Sequence, residues 1–115
     1  MEFHSWDTVK KEVLNEKFAR KVISGEKITL AQVFLSPGCV VPAHQHESEQ
    51  ISYVLEGALK FELEGKDLLV HKGEALIIPS NVVHRVVALK DSLSLDVFSP
   101  IRTDWLTGKD DYLRR

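Results

Sequence analysis

From Phe18 onward, apolar and polar residues alternate with a period of two, as expected for strands with one face on a core and one in water. The alternation is clearest where Leu59, Phe61 and Leu63 interleave with Lys60, Glu62 and Glu64. Beyond the opening run at Phe18, strand-like runs extend from Ile28 to Leu35, Gln50 to Leu55, Ala58 to Glu64, Asp67 to His71, Glu74 to Ile78, His84 to Leu89, and Leu93 to Phe98. Turn-forming clusters separate them, among them Ser36-Pro37-Gly38, Glu64-Gly65-Lys66, Pro79-Ser80-Asn81 and Lys90-Asp91-Ser92. Many short strands without intervening helices predict an all-β sandwich or barrel. Ahead of them, Val9, Val13 and Leu14 can share one stripe of a short helix, which makes residues 1–17 an arm against a barrel of residues 18–100. Residues 101–115 form a tail whose Trp105, Leu106, Tyr112 and Leu113 should dock it on the barrel or on a second subunit.

With 115 residues, the chain has room for one domain. Its 15 Lys and Arg against 17 Asp and Glu give a net charge of −2, too little field to attract nucleic acid or an anionic membrane. No stretch approaches the ~18 apolar residues of a membrane span. The start, Met-Glu-Phe-His-Ser-Trp, lacks the basic and apolar regions of a secretion signal. The lone Cys39 cannot pair internally and reads as a small buried apolar residue. A soluble cytoplasmic protein is the expectation.

The candidate chemistry lies in two segments. In Gly38-x5-His44-x-His46-x3-Gln50-x6-Gly57, the two histidines at i and i+2 of an extended chain project to the same side. The same parity adds Ser48 and Gln50 and sends Glu47 and Glu49 the other way. In Gly73-x5-Pro79-x-Asn81-x2-His84, a tight turn with Asn81 suited to a left-handed conformation aims a third histidine at the start of another strand. Neutral imidazole is the commonest protein ligand for first-row divalent metals. Three histidines and one polar partner at this spacing therefore point to one divalent ion, with Mn, Fe, Ni and Zn all compatible. His4 and His71 fall outside the pattern and read as surface residues.

These segments resemble the paired motifs of the cupin superfamily, Gly-x5-His-x-His-x3,4-Glu-x6-Gly and Gly-x5-Pro-x-Gly-x2-His-x3-Asn. The resemblance implies a small jelly-roll barrel, pairing into a homodimer, with His44, His46, Gln50 and His84 as metal ligands. Gln50 stands where the motif has an acid, Asn81 where it has Gly, and Ala88 where it has Asn. Glu49 could supply a carboxylate after a one-residue shift, but Gln50 keeps the six-residue step to Gly57. Three imidazoles and an amide leave the double positive charge of the ion uncompensated. Such a centre favours anionic ligands and disfavours the higher oxidation states of oxygen chemistry.

In the last strand, Leu93, Leu95 and Val97 share one face, and Ser94, Asp96 and Phe98 the other. Alternation alone leaves open which face looks inward, and Arg102, beyond Pro100, reads as a charge at the rim. Glu49-Gln50-Ile51-Ser52-Tyr53-Val54-Leu55-Glu56-Gly57 together with Asp96-Val97-Phe98-Ser99-Pro100-Ile101-Arg102 resembles the pectin-degradation-protein family of small cupins, which convert cyclic 4,5-unsaturated uronates into linear keto-uronates. That resemblance implies active-site roles for Asp96, Phe98 and Arg102 and a small anionic sugar as substrate. Tyr53 or Phe61 could add an aromatic wall, though core packing is the more general role for such residues. The competing readings are a metal-containing barrel that binds a sugar or small acid without turnover, and a metal-cupin isomerase or dioxygenase acting on another small molecule.

Overall fold

The computed structural model describes residues 1–114. Ten strands follow one another: β1 (Glu12–Asn15), β2 (Phe18–Ser24), β3 (Thr29–Leu35), β4 (Val40–His44), β5 (Glu49–Glu56), β6 (Ala58–Leu63), β7 (Lys66–His71), β8 (Ala75–Ile78), β9 (His84–Ala88) and β10 (Ser92–Ser99). They form two antiparallel sheets, a six-stranded one in the order β1-β2-β3-β10-β5-β8 and a four-stranded one in the order β4-β9-β6-β7. This is the all-β architecture expected from the strand pattern, in the jelly-roll form that the cupin resemblance implies. Side chains alternating inward from both sheets fill the space between them, including Phe18, Val33 and Val54 from one and Leu59, Phe61 and Val86 from the other. Each such burial removes apolar surface from water, worth about 1.5–3 kcal/mol for a large side chain.

The alternation in β6 holds: Leu59, Phe61 and Leu63 are buried while Lys60 and Glu62 are half-exposed. In β10 the structure resolves the ambiguity left by the sequence, because Ser94, Asp96 and Phe98 face inward. Gly57 turns the chain between β5 and β6 at φ +90°, and a Cβ there would lie 2.3 Å from Ser92 Oγ and 2.4 Å from Asp91 O. Only glycine fits both the conformation and that close approach.

The N-terminal expectation is corrected. Val13 and Leu14 belong to a strand, not a helix, because the segment finds a pairing partner in β2, with Glu12 opposite Arg20 and Val13 opposite Ala19. Asn15 closes the hairpin by accepting the Lys17 N–H on its side-chain oxygen (2.8 Å). At the other end, a four-residue helix α1 (Thr103–Leu106) and a single 3₁₀ turn (Asp111–Leu113) bring the tail back over one end of the barrel. Leu113 enters the core and Asp110 is fully buried. Among the described residues no helix is long and apolar enough to cross a membrane.

Candidate functional site

His44 ends β4 and His84 opens β9, and the two stand directly opposite each other in the antiparallel register. Gln50 lies on β5 in the other sheet, and His46 sits on the connection between β4 and β5. The three imidazoles converge, with ring centroids 4.2 Å apart for His44 and His84, 5.0 Å for His46 and His84, and 5.6 Å for His44 and His46. Asn81 takes the left-handed conformation expected of it, φ +62°, and donates its N–H to the His46 carbonyl (2.8 Å). The turn that aims His84 is thus tied to the loop that carries His46. The parity argument also holds: Ser48 and Gln50 are buried, Glu47 and Glu49 exposed.

Each imidazole is oriented by a backbone carbonyl two residues away. His44 Nδ1 donates to Pro42 O (2.7 Å), His46 Nδ1 to Ser48 O (2.8 Å) and His84 Nδ1 to Val82 O (2.8 Å). Nδ1 therefore carries the proton, and the Nε2 lone pairs point at one another across the cluster. Burial, followed by the neighbouring His84, pushes the His44 pKa down to about 3. Burial and then the Arg102 charge push His46 down to about 4, and burial likewise lowers His84. All three rings are neutral at physiological pH.

The donor set fits a metal ion. His84 Nε2 is buried with no hydrogen-bond partner among the described residues, which costs free energy unless something accepts its lone pair. Gln50 Oε1 lies 3.0 Å from His46 Nε2, while its Nε2 donates to Ser52 Oγ (2.8 Å). With His46 neutral and protonated on Nδ1, these are two facing acceptors, a repulsive arrangement unless a cation joins them. The ligand atoms of the three histidines all lie within 4.8 Å of one another. His84→Ala should therefore abolish most metal binding while leaving the barrel folded, since one of the three converging imidazoles is lost. Metal analysis of the purified variant checks this, and unchanged stoichiometry would rule out the four-residue site.

Asp96 stands beside this cluster. Its strand partner on β5 is Ser52 and that of Phe98 is Gln50, so the acid and the amide occupy adjacent inward positions. Burial raises the Asp96 pKa to about 6, against the lowering effect of hydroxyl bonds from Ser94 (Oγ to Oδ1, 2.6 Å) and Ser52 and of the Arg102 charge. His44, Gln50, His84, Asp96, Phe98 and Arg102 line one cavity of about 50 Å³ inside the barrel.

Arg102 departs from expectation. It is not at the rim but only 2% exposed, because the tail folds over it. Its backbone N–H is fixed by Thr29 Oγ1 on β3 (3.1 Å), its Nε and Nη2 bind the two oxygens of Asp104 (3.0 and 2.8 Å), and Nη2 also donates to the Tyr112 hydroxyl (2.6 Å). Its Cζ lies over the Phe98 and Trp105 rings, 4.8 and 4.5 Å from their centroids. The aromatic residues beside Arg102 that line the cavity are Phe98 and Trp105. Tyr53 points outward, 40% exposed, and Phe61 belongs to the core at the bottom of the cavity. His71 is exposed beside Glu74, and His4 is exposed beside Glu2. Sequence reasoning also missed Arg20 on β2, which is fully buried against Asp110 (2.5 Å) and stacked on the other partner of this group, Trp105, at 4.2 Å. Its one signal was a charge on the same face of β2 as Phe18 and Val22.

The match to the cupin domain model spans residues 31–99 and so includes both motifs. The chain belongs to the cupin family. Within it, this cupin is 32% identical over 98 residues to the pectin degradation protein KdgF of Dickeya dadantii, covering 83% of this chain and 89% of that one. It is also similar to the solved structure of KdgF from Halomonas sp., at 34% identity and a TM-score of 0.83, covering 90% of this chain and 99% of that one. An RmlC-like cupin from Shewanella frigidimarina has the same fold, with a TM-score of 0.85, 23% identity, and coverage of 91% and 96%.

Proposed function

We propose that this cupin is a metal-dependent isomerase that opens cyclic 4,5-unsaturated uronates to linear keto-uronates in the breakdown of pectin-like or alginate-like polysaccharides. The observation that carries the reading is one cavity lined by His44, Gln50 and His84, by a buried carboxyl whose pKa is raised to about 6, and by the Arg102 guanidinium. The likeness to proteins named for pectin degradation supports the substrate class.

A divalent ion held by His44, His46, Gln50 and His84 would supply positive charge that polarises a substrate oxygen. Arg102 binds the uronate carboxylate through Nη1, the nitrogen that its bonds to Asp104 and Tyr112 leave open. Phe98, buried and held between His46 and Trp105, gives the sugar a rigid apolar wall. Asp96 moves the proton. The anomeric hydroxyl loses its proton as the bond from C1 to the ring oxygen breaks, C5 becomes a ketone, and C4 gains a proton. The reaction is an isomerisation, needs no oxidant or reductant, and requires one group able to accept and release a proton near neutral pH.

The test is metal analysis of the protein followed by incubation with a panel of unsaturated monouronates. Loss of the ultraviolet absorption of the conjugated double bond is the expected result. A metal-loaded protein inert across the panel would remove the proposal, and oxygen consumption by an iron-loaded preparation would replace it with a dioxygenase.

A further inference from the structure

Beyond Trp105, the tail carries a second aromatic residue against the site, one that touches no substrate in the reaction as described. Tyr112 lies ten residues beyond Arg102, yet its ring centroid is 5.0 Å from that of His44. Its hydroxyl accepts the Arg102 Nη2–H at 2.6 Å and donates to Asp104 Oδ2 at 3.2 Å. The residue is anchored on both sides. Asp110, two positions before it, is fully buried against Arg20, and Leu113, the next residue, is buried in the core, with its carbonyl accepting from Asn15 Nδ2 (3.4 Å).

We infer that Tyr112 is a positioning residue of this site, which with Asp104 fixes the Arg102 guanidinium so that its Nη1 edge alone is offered to an anionic ligand. A guanidinium has five N–H donors. Asp104 takes the one on Nε and one on Nη2, and Tyr112 takes the second on Nη2. The two that remain are both on Nη1. Phe98 and Trp105 pack against the group, and its bonds to Asp104 and Tyr112 fix which edge faces them. Removing the Tyr112 hydroxyl frees a donor on Nη2, loosens that rotation and offers a carboxylate a second, misplaced edge. The ring of Tyr112 would still cover His44, so the packing of the tail survives the change to Phe.

The inference rests on the uronate reading for the natural ligand, and its test is built to separate the two. Calorimetric titration with a saturated hexuronate, which has no double bond to react, reports binding at the guanidinium, and a neutral hexose serves as the control. Tyr112→Phe and Asp104→Asn should each weaken hexuronate binding about three- to tenfold. Each should raise KM for an unsaturated uronate by the same factor, with kcat within about twofold and metal content unchanged, while Tm falls, more in Asp104→Asn because it strips the carboxylate from the buried Arg102. Parental affinity and parental KM in Tyr112→Phe would overturn the role while leaving the isomerase intact. A parent inert on every unsaturated uronate whose hexuronate affinity still falls in Tyr112→Phe would overturn the isomerase and keep the role. A parent with no affinity for the hexuronate would overturn both.

Discussion

Asp96→Asn should lower kcat on an unsaturated uronate by about 10²-fold or more, the scale for losing a general acid or base, with KM and metal content near parental values. The replacement keeps the size of the side chain and can still accept from Ser94 and Ser52, so what it removes is the titrating proton. Parental turnover in this variant would remove Asp96 from the reaction. The same substitution has an opposite expected effect on stability. In the folded protein the carboxyl titrates at about 6, in the unfolded chain near 4, so the folded state holds its proton more firmly between those values. Stability of the metal-free parent therefore falls as pH rises from about 4 to about 6 and stays lower above that. Asn never ionises. The metal-free variant should melt above the parent at pH 7 and converge with it near pH 4, by an amount of order 1–3 kcal/mol.

Asp110→Asn should destabilise the protein by about 3–5 kcal/mol, the cost of stranding a buried charge, and lower Tm by roughly 10–20 °C. Arg20 and Asp110 are both fully buried and joined at 2.5 Å. Glu12, at 3.5 Å and partly exposed, is a weak substitute counter-charge. Two further Arg20 nitrogens, Nε and Nη1, have no partner among the described residues, so the pair already carries an uncompensated desolvation cost. Replacing both residues by apolar ones, Arg20→Met with Asp110→Leu, should therefore restore most of the lost stability. A thermal melt that leaves Asp110→Asn at the parental Tm would show that the ion pair does not hold the tail. Hydrogen exchange at residues 103–113 would localise the loss.

The barrel and the histidine cluster were legible in the sequence because both obey the period of two. Leu59, Phe61 and Leu63 announce a face, and the i, i+2 step from His44 to His46 marks two rings for one side, although the strand ends at His44 and His46 lies on the connection. The choice of Gln50 over Glu49 followed from the six-residue step to Gly57. What escaped was whatever depends on contacts far apart in the chain. Val13 and Leu14 look helical in isolation and become a strand because β2 offers a pairing partner. Arg102 looked like a rim charge because nothing local reveals that residues 103–113 fold back over it. Arg20 and Asp110 are 90 positions apart, and neither residue hints at the other. The site thus divides into a part written in strand periodicity and a part made by the return of the tail.

The three carbonyl-anchored imidazoles have a consequence for competition between protons and metal. A ligand histidine with an ordinary pKa near 6.5 gives up its metal progressively below that value, because the proton takes the same lone pair. Here the Nε2 lone pairs of His44 and His46 accept a proton only near pH 3 and 4. Across the interval from about 6.5 down to about 4, the ion meets no competitor at these two nitrogens. Protonation of His44 and His46 should therefore take no part in metal release over that range and should enter only below it. The depth at which the rings are buried sets how acidic the surroundings can become before the metal is released.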